Sequence, residues 1–184
     1  MPFERAKDYG CVFCVTGKEE LVARSIVRVC PGLRVTAAYQ EKFKSVKGVK
    51  SVVKALMLPG YVFFEADTDE EFLSRFPRIG IIRVLTNDEK DWRLKGDDYE
   101  FARWLFSNDG LLGFSTAYRE GDQIRFLSGP LKDMEGMICR VDKRGHSGQV
   151  AVKFDGREVK LWLGFNLVEL LPDSKRGRWH EENT

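Results

Sequence analysis

The stretch Leu58-Pro59-Gly60-Tyr61-Val62-Phe63-Phe64-Glu65 decides how the chain reads. Pro59-Gly60 is a turn, because proline presets φ and glycine accepts φ > 0 without steric cost. Residues 61–64, aromatic and β-branched, predict a short buried strand directly behind it. On a strand Tyr61 and Phe63 face one way while Val62 and Phe64 face the other. Both faces are therefore apolar, and each needs a cover. One cover is a helix of the chain itself; the other is a second helix or a partner.

Working outward, residues 41–54 upstream hold five lysines (Lys42, Lys44, Lys47, Lys50 and Lys54) and a single acid, Glu41. Gly48 marks a turn, so the segment reads as a basic hairpin or loop. Such lysines either guard a sheet edge or face phosphate. Further upstream, residues 9–15 read as a first strand. Thr16-Gly17-Lys18-Glu19 follows as a capping box, opening a helix over 18–30 with Val22, Ile26, Val29 and Cys30 on one stripe. Pro31-Gly32 ends it, and Leu33, Val35 and Ala37 alternate as a second strand. Downstream, Thr68-Asp69-Glu70-Glu71 predicts another helix, with Phe72, Leu73 and Phe76 buried and Pro77 as its stop. Residues 79–85 read as a strand and 97–106 as a third helix. The expected architecture of this half is α+β, helices on a mostly antiparallel sheet.

Ser107-Asn108-Asp109-Gly110 breaks that pattern, and 108–117 reads as a linker. Beyond it come short alternating strands around 124–126, 137–141, 150–154, 159–163 and 167–171. Asp155-Gly156 is a type I′ hairpin signal. Five such strands predict a small all-β barrel over 118–172, followed by a polar tail, 173–184. The division expected is thus 1–107, 108–117, 118–172 and 173–184.

Composition narrows the function. The chain of 184 residues is 43% hydrophobic and 32% charged, the balance of a globular protein. No apolar run reaches the roughly 18 residues of a membrane helix, and the N-terminus lacks a signal peptide's apolar segment, so a cytoplasmic location is expected. Cys11 and Cys14 are three apart on a strand and face opposite sides; with Cys30 and Cys139 they read as unpaired, mostly buried thiols. No glycine-rich phosphate loop, nucleophile elbow or zinc-ligand pair is present. The sequence argues against an enzyme, a metal or a cofactor. Net charge is only +2, so nucleic-acid contact has to come from local clusters.

Glu120-Gly121-Asp122-Gln123-Ile124-Arg125-Phe126, followed by Gly129-Pro130-Leu131-Lys132-Asp133-Met134-Glu135-Gly136, resembles a KOW motif, the start of an SH3-like barrel. Thr16-Gly17-Lys18-Glu19-Glu20 and Leu58-Pro59-Gly60-Tyr61-Val62-Phe63 resemble the hallmarks of the NusG N-terminal domain. Their order and spacing extend the resemblance to the NusG family over nearly the whole chain. Leu56-Met57-Leu58 departs from the housekeeping pattern, and residues 115–122 with the Gly-Pro-Leu loop resemble the specialised LoaP-like antiterminator branch.

The resemblance implies a transcription elongation factor that promotes processive antitermination. Its N-terminal domain docks an apolar face, Tyr9, Leu58, Pro59, Tyr61 and Phe63 with Ile81 or Ile82, on the clamp helices of RNA polymerase. It also implies an RNA hairpin of the nascent leader transcript as a ligand of the KOW barrel. The cations offered there are Lys132, Arg140, Lys143, Arg144, Lys153 and Arg157, with Lys160 beside them. Upstream or non-template DNA is the expected neighbour of Lys42, Lys44, Lys47 and Lys50. Between Tyr118 and Pro172, nine basic residues meet eight acidic ones, so the barrel as a whole is not basic. Alternatives are a housekeeping NusG working with Rho and the ribosome, or a ribosome-associated KOW protein; a partner protein then replaces RNA at the barrel. The chain is expected to be a monomer.

Overall fold

A computed structural model of the chain describes residues 7–67, 71–87 and 91–169, apart from the side chains of Val46 and Lys50. The quoted stretch forms β5 (Tyr61–Ala66), buried along its whole length. It lies between β2 (Arg34–Ala37) and β1 (Asp8–Cys14), and β6 (Ile81–Val84) closes the far edge. All three pairings are antiparallel. The β1–β5 register sets Cys11 opposite Phe63 and Val12 opposite Val62.

Alternation splits the side chains between two cores. Val12, Cys14, Val62 and Phe64 pack with Val22 and Ile26 of α1 (Glu19–Val29). Tyr9, Cys11, Tyr61 and Phe63 point the other way, toward Phe101 and Leu105 of α2 (Gly96–Ser107). The two cysteines of the Cys-x-x-Cys therefore sit in different cores. Cys30 is also buried, and Cys139 is exposed.

Two expectations change in this half, and the lysine-rich segment takes the first of its two expected forms. The box at Thr16 does not cap α1: Lys18 occupies the N-cap position with no side-chain bond. The helix expected after β5 is a single 3-10 turn, Leu73–Arg75, and residues 68–70 lie outside the described residues. Phe72 and Phe76 both turn onto Phe64, at 5.7 and 5.3 Å between ring centroids. With Pro77 immediately after, the segment closes over that ring in one turn rather than propagating. The lysine-rich segment is a regular hairpin, β3 (Tyr39–Val46) and β4 (Val49–Leu56), turned at Lys47-Gly48 with φ of 50° and 81°. Eight residues a side give it a reach of roughly 25 Å.

The segment 108–117 carries β7 (Leu111–Leu112), parallel to β3, and the start of β8 (Ser115–Glu120). The second half is a curled five-stranded sheet of β8, β9 (Gln123–Ser128), β10 (Ile138–Asp142), β11 (Ser147–Phe154) and β12 (Arg157–Leu167), in the order β10-β11-β12-β8-β9. The strand expected at 167–171 is not separate. β12 pairs with β11 as far as Gly164 and then, parallel, with β8. Residues 170–184, the rest of that expected strand and the tail, lie outside the described residues. Inside the curl Phe126, Val150, Leu161, Leu163 and Phe165 are buried. A short helix, α3 (Pro130–Asp133), stoppers it with Leu131. The buried Ser115 hydroxyl accepts the Leu131 amide at 2.8 Å. Gly129 (φ 88°) passes so close that a Cβ there would lie 2.8 Å from the Ser115 Cα.

Candidate functional site

Glu19 links the first two sequence motifs. Its carboxylate is buried and accepts the Gly60 amide at 2.7 Å and the Gly17 amide at 2.9 Å. Burial by itself raises its pKa, but these amides and its own outweigh that and hold it below the usual carboxylate range. Gly60 (φ 85°) lies against Phe13, whose ring would be 2.7 Å from an added Cβ. The Gly60 carbonyl accepts the Cys14 amide at 2.7 Å. The Leu58-Pro59-Gly60 turn is thereby pinned to both β1 and the start of α1, and Tyr61 leaves it at a fixed angle.

Tyr9, Leu58, Tyr61 and Phe63 do come together on one side of the sheet, with Phe13 beside them. Pro59 is exposed at the turn. Ile81 is not part of this group: it packs on the opposite side with the α1 core. Ile82 projects from the edge strand, 59% exposed.

The apolar group is not open to solvent. The β11–β12 turn inserts into it, with Phe154 between Tyr61 (5.3 Å between centroids), Phe63 (5.1 Å) and Phe101 (5.3 Å). Asp155 and Gly156, at φ of 50° and 72°, make the two-residue turn that sequence reading anticipated. The Tyr61 hydroxyl donates to Asp155 Oδ2 at 2.8 Å, and Arg83 reaches the same oxygen at 3.1 Å. The Asp155 amide donates to Asp98 Oδ1 at 2.9 Å, and Arg157 donates to the Tyr61 hydroxyl. Burial and the Asp155 charge push the Asp98 carboxyl up, against the bond from the Asp155 amide. Burial, then the Asp155 bond, raise the Tyr61 phenol.

The cations expected to meet nucleic acid are dispersed. Lys42 and Lys44 share one face of the β3–β4 hairpin, while Phe43 and Val52 lie on the other. Lys47 is exposed at its turn; the Lys50 side chain lies outside the described residues. On the barrel, Lys132 pairs with Glu135 at 2.6 Å and Lys143 donates to the Asp122 carbonyl. Arg144 is exposed in the β10–β11 turn, which Asp142 holds by accepting the Arg144 and Gly145 amides. Arg140 and Lys153 stand on the outer face of the sheet, and Arg157 is engaged with Tyr61. The turn with Lys143 and Arg144 is at the opposite end of β11 from the inserted tip. Among the described residues, no group of His, Cys, Asp and Glu is arranged to hold a metal ion, and no helix is long and apolar enough to cross a membrane.

Sequence reading missed Phe154, Asp155, Asp98 and Arg83 as parts of this site. The hairpin signal at Asp155-Gly156 gave the turn, but nothing in its spacing says which surface the turn will meet.

No family model matches the chain. Among curated proteins it is 31% identical to the transcription termination/antitermination protein NusG of Thermus thermophilus over 133 residues, 66% of this chain and 71% of that protein. The NusG of Haemophilus influenzae is 25% identical over 133 residues, 71% of this chain and 72% of that protein. Among solved structures, one concerned with domain interaction in Thermotoga maritima NusG covers 86% of this chain and 94% of its own, at a TM-score of 0.48 and 19% identity.

Proposed function

Because this chain belongs to the NusG family of transcription termination/antitermination factors, we propose that it rides on elongating RNA polymerase and acts there as a processive antiterminator of the LoaP-like kind. Its two working parts are the units around 1–107 and 118–172. The first grips the polymerase clamp helices through Tyr9, Leu58, Pro59, Tyr61 and Phe63, with Ile82 at the rim. One observation carries this reading: Tyr61 and Phe63, on the side of the sheet that also holds Tyr9 and Leu58, are covered by Phe154 of the second unit, so the apolar face of the first unit is completed from outside it. An apolar depression with a few anchors is what a docked helix requires. The action is mechanical, since a domain bridging the polymerase cleft holds the clamp closed without any catalytic group.

In the arrangement seen, the barrel tip occupies that face. Docking on polymerase therefore requires the tip to leave, and ligands of the barrel bias the exchange. The second part binds an RNA hairpin through the exposed Lys143-Arg144 turn and neighbouring cations, and the β3–β4 hairpin lies along upstream or non-template DNA.

The test is recovery of partners with the tagged chain, together with transcript mapping in cells lacking it. Polymerase subunits in the eluate, with premature termination confined to one or a few operons, are expected. Ribosomes without polymerase contradict the polymerase reading. Genome-wide termination changes contradict the specialised branch and point to a housekeeping factor.

A further inference from the structure

Trp162 stands on the outer face of β12, 38% exposed, where nothing in barrel packing calls for a tryptophan. The sheet register sets Arg140, Gln149 and Trp162 in one row across β10, β11 and β12, with Ala151 opposite Lys160 in the next. Arg140 lies over the indole, its guanidinium carbon 6.0 Å from the ring centroid. Gly164 shares the face of Trp162, about 7 Å along the strand. The Phe114 ring lies where a side chain at Gly164 would, 2.3 Å from an added Cβ. Phe43 of the β3–β4 hairpin, 46% exposed, lies against Phe114 at 4.5 Å between centroids, the rings tilted by 33°. Three aromatic rings thus form a strip from the barrel to the hairpin. Arg140, Lys153 and Lys160 rise beside it; the acid in their rows is Glu158, 3.8 Å from Lys160. The carboxylate of Asp142 is turned into its own loop.

We propose that this strip is a stacking platform for unpaired bases of RNA, with Trp162 as its principal ring and Arg140 and Lys160 as its phosphate contacts. Exposed aromatic rings flanked by cations on a sheet are what sequence-tolerant single-strand binding uses. An apolar protein partner would leave the excess of positive charge without a counterpart. The proposal rests on the reading that the barrel binds RNA, and adds the surface on which bases splayed from a hairpin loop are held.

Fluorescence anisotropy of the full chain with fluorescein-labelled oligouridylate tests it. Trp162→Ala is expected to weaken binding by about 5- to 100-fold, and Trp162→Phe to stay within about threefold of the native chain. Arg140→Gln combined with Lys160→Gln is expected to reduce the salt slope by about 1–1.5. Both tryptophan variants keep the barrel core, because the indole is outside it. Native-like binding by Trp162→Ala overturns the platform. If Lys143→Gln with Arg144→Gln then removes binding, the RNA reading stands and a protein remains as the occupant of the strip. If the native chain binds neither oligouridylate nor a random-sequence RNA pool, the RNA reading fails and the platform with it.

Discussion

Glu19 shows how much one buried carboxylate can organise. It satisfies two loop amides that no strand or helix partner reaches, and so holds the turn from which Tyr61 emerges. Glu19→Gln keeps the shape but replaces a charged acceptor with a neutral one, offering one oxygen for two amides. A loss of about 1–3 kcal/mol in unfolding free energy is expected, measured by denaturant titration at neutral pH. The pH dependence has a definite sign. The folded pKa of Glu19 lies below its ordinary value, so its contribution is full above about pH 4.3 and is lost as pH falls through the lowered folded value. The native chain should lose stability along that acid limb, and the Gln variant should lose less. Equal acid limbs would show that Glu19 is not a charged cap. The sequence held a trace of this role: Glu19 was read as half of a capping box, the right chemistry with a different set of donors. Its second partner, Gly60, is 41 residues away, and a local motif contains no information about so distant an amide.

At the scale of elements, strands with strict alternation were legible and short helices were not. β5 and its two-faced burial followed from four residues, and both long helices followed from their apolar stripes. The helix expected after β5 failed because Phe72 and Phe76 are drawn onto Phe64, a tertiary demand that local capping signals do not express. β8 was hidden for a related reason. Its central residue Ala117 is buried but small, so the segment lacks the bulky periodicity that marks a strand. The β3–β4 hairpin gives the element-scale prediction. Lys42 and Lys44 project from one face and Lys47 from the turn, all exposed. If this hairpin lies along duplex DNA, changing the three to Gln should lower the salt slope of elongation-complex binding by about 2–3. Binding measured across a potassium chloride series checks this, and an unchanged slope would remove DNA from its neighbourhood.

On the scale of the whole molecule, the two halves share one core cluster because the β11–β12 tip fills the face that Leu58, Tyr61 and Phe63 create. Each polar bond there has a modest net worth of about 1–2 kcal/mol, beside the packing of Phe154 on Tyr61, Phe63 and Phe101. The alternating strands of the second half and the two apolar faces of β5 were legible in the sequence, yet the fit between the halves was not, since it depends on Phe154 and Asp155 meeting residues of β5, β6 and α2. Asp155→Gly is the cleanest probe of this fit. Glycine keeps the φ > 0 turn and the backbone bond to Asp98, while removing the links to Tyr61 and Arg83. The decisive measurement is the affinity of the full chain for RNA polymerase with and without that change. Docking through the covered face predicts that Asp155→Gly binds about 5- to 30-fold more tightly, and that adding Leu58→Asp abolishes the gain. Unchanged affinity in Asp155→Gly, or tight binding that survives Leu58→Asp, would contradict it.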